Sequence, residues 1–135
     1  MVDCSVAAKW VLAEPNEIEA FRLLDQQALG ELSLIAPDLL LMEFASLISK
    51  RTRRKQMSPA EADQAFRFME EAELRLFETR PLVGRALELA MNHQMSLWDC
   101  VYLALAGEHD CPLVTADRRL FRSGTGRHPA IRLLG

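Results

Sequence analysis

Leu113-Val114-Thr115-Ala116-Asp117 is a short apolar run that closes on a hydroxyl and a carboxylate. A run of this length, bounded by polar residues, reads as a buried strand, and its acid marks the carboxyl end. Four other segments read the same way: Met1–Cys4, Leu32–Ala36, Leu74–Glu78 and Ile131–Leu134. Between them the apolar residues recur with helical spacing. An amphipathic helix near Ser5–Leu12 ends at Pro15, and a second over Glu17–Leu29 is closed by Gly30. Pro37 suits the first position of a helix running to about Lys55. Ser58-Pro59-Ala60-Glu61 opens a helix to about Glu73, with a cap, a proline at the first turn and a glutamate three residues on. Arg80–His93 is a further helix. Ser96-Leu97-Trp98-Asp99 caps another that ends near Gly107. The order is βαα, βαα, βαα, β, short α, β, which makes the fold class α/β, a parallel sheet covered by helices.

The chain has 135 residues, the size of one domain, here residues 1–135. It is 50% hydrophobic and 26% charged, enough apolar material for a core and too much for a disordered chain. A net charge of −3 gives no general attraction to polyanions, so a nucleic acid must meet a local basic patch. Cys4, Cys100 and Cys111 form no zinc-type spacing, and their odd number argues against a disulfide framework. No stretch approaches the roughly 20 unbroken apolar residues of a membrane span, and no signal segment leads the chain. A cytoplasmic protein is expected.

Four carboxylates stand apart from the solvated majority: Asp3, Glu43, Asp99 and Asp117. Asp3 and Asp117 each follow a strand, and ligands of open α/β sheets bind beyond the carboxyl ends of strands. Glu43 is the only charge between Leu39 and Ser49, with Ser46 and Lys50 continuing its polar stripe. Asp99 is the only charge from Leu97 to Ala106. Taken singly, each has an ordinary reading: Asp99 as the partner of Ser96 in a capping box, Asp117 as a helix cap, Asp3 with Ser5 as an Asx turn, Glu43 on a solvated stripe. Taken together they suggest one cluster. Carboxylates about 5 Å apart repel by roughly 3 kcal/mol per pair at an effective dielectric of 20, so such a cluster takes up protons or a cation. Hard oxygen-binding ions, Mg²⁺ or Mn²⁺, suit it, and the corresponding chemistry is metal-assisted phosphodiester hydrolysis.

Val2-Asp3-Cys4-Ser5-Val6, Ala36-Pro37-Asp38-Leu39-Leu40 with Met42-Glu43-Phe44-Ala45, Ser96–Ala106 and Leu113–Asp117 stand in an order and spacing that resembles the PIN-domain ribonucleases, in particular the VapC-type toxins of bacterial toxin–antitoxin pairs. The resemblance spans almost the whole chain. It implies a three-layer α/β/α sandwich with a parallel sheet of about five strands, and a Mg²⁺- or Mn²⁺-dependent endoribonuclease using metal-activated water. Asp3, Glu43, Asp99 and Asp117 map onto the family's acidic quartet as catalytic metal ligands, with Ser5 and Thr115 as supporting hydroxyls. It also implies a cognate VapB-type antitoxin whose C-terminal segment covers the cleft, and a homodimer. The chain departs from the pattern in two places. Only Met1 and Val2 precede Asp3, a short first strand that suggests a natural start upstream, and Ser46 stands where an asparagine is common.

Lys50, Arg51, Arg53, Arg54 and Lys55 crowd one helix end, and Arg118, Arg119 and Arg122 follow Asp117. Besides solvated helix ends, these read as rims that track RNA phosphates. Trp98 reads as core, with base stacking as the alternative. His93, His109 and His128 show no partner spacing and receive no catalytic role. Rival readings are a non-catalytic RNA- or protein-binding module, an RNA-processing nuclease of the same fold without antitoxin, and a phosphatase. The last is disfavoured because Ser5 stands where a second aspartate is needed.

Overall fold

The computed structural model describes residues 1–124 and 131–135. Helices dominate it, and four strands of three residues each lie between them: β1 (Ile35–Pro37), β2 (Arg75–Phe77), β3 (Leu113–Thr115) and β4 (Ile131–Leu133). β1 pairs parallel with β2, Ile35 opposite Arg75 and Pro37 opposite Phe77. β3 pairs parallel with β4, Leu113 opposite Ile131 and Thr115 opposite Leu133.

Residues 1–3, expected as the first strand, form only a parallel bridge between Val2 and Val114. Their backbone still serves both pairs. Val2 N–H donates to the Ile35 carbonyl at 3.1 Å, Val114 N–H to Met1 at 2.9 Å, and Asp3 N–H to Val114 at 3.3 Å. Where the sequence reading expects a sheet of about five strands, the described residues hold two short parallel pairs with this segment between them. The segment is short because Asp3 already caps the following helix.

That helix, α1 (Cys4–Ala7), tightens into a 3-10 turn over Ala8–Trp10 and does not reach Leu12 as expected. The Trp10 indole N–H donates to the Ala20 carbonyl at 2.9 Å and pins the turn onto α2 (Glu17–Ala28). Gly30, at φ 73°, ends α2 in the left-handed conformation that glycine adopts without strain. α3 (Leu39–Arg53) starts later than expected, because Pro37 closes β1 instead of opening the helix. Its start is satisfied from a distance: Thr79 donates its hydroxyl to Asp38 Oδ1 at 2.5 Å and accepts the Leu39 N–H at 3.1 Å. α4 (Pro59–Glu71) carries the expected capping box, with Glu61 N–H donating to Ser58 Oγ at 3.2 Å and Ser58 N–H to Glu61 Oε2 at 2.7 Å. A 3-10 turn over Arg80–Leu82 leads into α5 (Val83–His93), followed by α6 (Leu97–Glu108) and α7 (Arg118–Gly124).

α6 is the central element. Cys100 through Ala106 are all buried, and the helix packs on α5 while also meeting β1 and β3. Val2, Val6, Leu40, Phe44 and Leu113 complete the same core, leaving the first residues of α6 and the polar stripe of α3 at its edge. Phe44 is fully buried directly beside Glu43, so it holds the registry of α3. Phe44→Ala should cost about 3–5 kcal/mol in chemical denaturation. Ser58→Ala, which removes only the α4 cap, should cost about 1 kcal/mol.

Candidate functional site

Two hydroxyls build the site around Asp3, which is 6% exposed. Asp3 Oδ1 accepts from Ser5 Oγ at 2.6 Å and from the Val6 N–H at 3.1 Å, and Oδ2 accepts from the Thr115 hydroxyl. Thr115 Oγ1 in turn accepts the Asp117 N–H at 3.0 Å, and Ser5 Oγ accepts the Ala116 N–H at 2.8 Å. These bonds tie the first turn of the chain to the end of β3. A carboxylate has about four acceptor positions, and Ser5, Val6 and Thr115 supply donors to those of Asp3. Burial nevertheless pushes the Asp3 carboxyl above the ordinary carboxylate range, the hydrogen bonds opposing it only in part.

Glu43 reaches the same region from α3. Burial raises its carboxyl, the hydrogen bond from the Tyr102 hydroxyl to Oε2 lowers it, and the charges of Asp3 and Asp99 raise it again. Asp99, at the first turn of α6, is raised by burial and by the charges of Asp117 and Asp3, with Arg119 opposing. Ser96 makes no side-chain cap bond, so no capping box forms there. Asp117 does cap a helix: Oδ1 accepts from the Arg119 N–H at 2.7 Å and the Leu120 N–H at 3.3 Å, while Oδ2 lies 3.9 Å from Arg119 Nη2. Glu43 thus lies in the field of Asp3 and Asp99, and Asp99 in that of Asp117 and Asp3. Cys4 senses that field as well. Its thiol is pushed up to about 12 by burial first, then by Glu43, Asp3 and Glu14, and it remains an inert thiol.

Among the described residues no three of these side chains stand close enough together to form a ready-made metal site. The donor set is nonetheless all oxygen, partly buried and mutually repulsive, which fits a hard ion that keeps several waters and takes one or two carboxylates.

The basic residues are less uniform than their clustering suggests. Arg51 pairs with Glu14, which also holds Lys9 at 3.3 Å. Arg53, Arg54, Lys55, Arg118, Arg119 and Arg122 are exposed. The Arg53–Lys55 end lies about 15 Å from Glu43 by the rise of α3. Lys50 lines a cleft of about 430 Å³ with Glu43, Ser46, Leu39, Met42, Leu47 and Trp98. Trp98, expected in the core, is 58% exposed, because α6 turns Cys100–Ala106 inward and its first turn lies at the rim. The His109 ring lies 4.4 Å from that of Phe77, and His128 falls outside the described residues. Sequence reasoning missed Tyr102; its signal was the chain's one tyrosine, set three residues after Asp99 on an apolar helix.

The profile of the PIN domain family matches residues 1–124. Ribonuclease VapC9 of Mycobacterium tuberculosis is 32% identical over 133 residues, covering 96% of this chain and 94% of that protein. The crystal structure of PAE2754 from Pyrobaculum aerophilum superposes with a TM-score of 0.69 at 21% identity, over 97% of this chain and 87% of the other. A toxin–antitoxin complex from Klebsiella pneumoniae gives 0.59 at 17% identity, over 96% and 93%. The two structural likenesses establish the fold alone.

Because Asp99 binds its proton more tightly folded than unfolded, its charge opposes folding above the ordinary carboxylate range, and the opposition fades as pH falls towards about 4. Asp99→Asn should therefore raise the thermal midpoint of the chelator-treated protein at neutral pH, with a gain that shrinks towards pH ~4. An equal gain at both ends of that range would rule out charge repulsion as its source.

Proposed function

The chain belongs to the PIN domain family, within its VapC ribonucleases, and from that membership and the four gathered acids we propose that it is a divalent-metal-dependent endoribonuclease, the toxin of a type II toxin–antitoxin pair. The observation that carries the reading is the buried Asp3 carboxylate, cradled by Ser5 and Thr115 within the field of Glu43 and Asp99. Nothing in a merely structural role requires a chain to concentrate charge there, because unpaired buried charge is destabilising.

In this reading Asp3, Glu43, Asp99 and Asp117 hold Mg²⁺ or Mn²⁺. Such an ion would supply an activated water for attack on an RNA phosphodiester and charge stabilisation at the leaving oxygen. Ser5 and Thr115 hold the Asp3 carboxylate in one orientation, and Tyr102 does the same for Glu43. Asp117 Oδ1 caps α7, and Oδ2, 3.9 Å from Arg119 Nη2, is the oxygen it would turn to the site. Arg118, Arg119, Lys50, Arg53, Arg54 and Lys55 supply cations for the RNA backbone, and Arg51 does so less, being held by Glu14.

The finer architecture belongs to the same proposal. Residues 1–135 form one domain, and residues 1–3 join the parallel pairs into a five-stranded sheet in the order β2, β1, residues 1–3, β3, β4 between helical layers, a reading supported by the hydrogen bonds of Val2, Asp3 and Val114. A VapB-type antitoxin and a second copy of the chain are its partners, and it acts in the cytoplasm. Among the described residues no helix is long and apolar enough to cross a membrane.

Purified protein should cut RNA with Mg²⁺ or Mn²⁺ and stop on addition of chelator. Thr115→Val should weaken Mn²⁺ binding by about 10- to 100-fold, and Asp99→Asn should lose cleavage altogether. Undiminished cleavage by Asp99→Asn would sink the proposal. Growth arrest on expression, relieved by the product of a neighbouring small gene, separates a toxin from an RNA-processing enzyme of the same fold.

A further inference from the structure

The cleft between α3 and the start of α6 is not explained by the acids alone. One wall carries Glu43, Ser46 and Lys50 along the polar stripe of α3, with Leu39, Met42 and Leu47 beside them. Trp98 forms the opposite wall at 58% exposure, and Met42 is 72% exposed. Leaving an indole open to water forfeits the burial that the rest of α6 achieves, and an exposed apolar patch rimmed by charge marks a binding surface. Glu43 lines the same cleft, so whatever lies on the indole is also beside one of the acids.

We infer that this cleft is a nucleotide subsite in which Trp98 stacks on one unpaired base of a single-stranded RNA and Lys50 holds an adjoining phosphate. The inference rests on the ribonuclease reading above and adds the residues that hold one nucleotide beside the acids. An aromatic face accepts any base, because every base has a π-face, and one cation beside it tracks the backbone without reading sequence. The flexible Met42 thioether completes the apolar side, and Ser46 offers a hydroxyl to a base edge or a ribose. Charge on the cleft walls disfavours a second copy of the chain as occupant, since the cores of protein interfaces are depleted of charged residues. A duplex does not fit the requirement either, because its bases are already stacked on each other.

The chain has two tryptophans, which makes the inference directly readable. Trp10 is 4% exposed and bonded to Ala20, so Trp98 is the indole that a ligand reaches. An adenosine hexaribonucleotide titrated into the full chain with chelator present should quench the exposed emission saturably. Trp98→Leu should abolish the quench and weaken binding about five-fold or more, Trp98→Phe should keep part of the affinity, and neither should move the unfolding midpoint. Lys50→Gln should lower the log–log salt slope by about 0.7. Binding and cleavage of RNA with Trp98 emission unchanged and Trp98→Leu affinity intact would overturn the subsite while leaving the nuclease standing. Quenching without cleavage after Mn²⁺ replaces the chelator would do the reverse. Failure to bind the hexanucleotide, or quenching by a protein partner only, also overturns the subsite.

Discussion

The burial of the Asp3 carboxylate, with Glu43 and Asp99 within reach of its charge, is the constraint around which the rest is arranged. A buried Asp3 is tolerated only because Ser5, Val6 and Thr115 all donate to it, and even so its proton is held more tightly than in water. Those donors come from opposite ends of the chain. The same network that satisfies the charge therefore locks the first helical turn to the end of β3.

The helices that bring the remaining acids inward are anchored for the same reason. α6 buries seven consecutive residues, and this fixes Asp99 at its exposed first turn. α3 buries Leu40, Phe44 and Ile48, which turns the Glu43, Ser46 and Lys50 stripe to the cleft. The Tyr102 hydroxyl then bridges the two helices through Glu43. A site made of like charges is a local cost in stability, and it persists because the surrounding core over-determines it.

Several parts of this arrangement were legible in the residues. The α4 cap at Ser58 and Glu61 is encoded within four positions, and the solitary acids of α3 and α6 stand out because their neighbours are apolar. Other parts were not. Pro37 satisfies the local rule for a helix start yet ends a strand, since Thr79 supplies the α3 cap from another part of the chain. Trp98 is as apolar as its neighbours, and only the direction of the first α6 turn relative to the core decides that it faces water. Arg51 belongs to a run of five cations by composition but is taken by Glu14 through the fold.

By itself the amino-acid order determined the alternation of short apolar runs with helices, the placement of Asp117 just after β3, and the isolation of Glu43 and Asp99 on apolar helices. These are properties of spacing, and spacing is what local periodicity and capping read. The tertiary structure alone decided which of those acids feel one another's charge, that Ser5 and Thr115 bond Asp3 and Tyr102 bonds Glu43, and that an indole opens into the cleft that Glu43 lines. Such outcomes depend on contacts between residues far apart in the chain, and packing, not propensity, sets them.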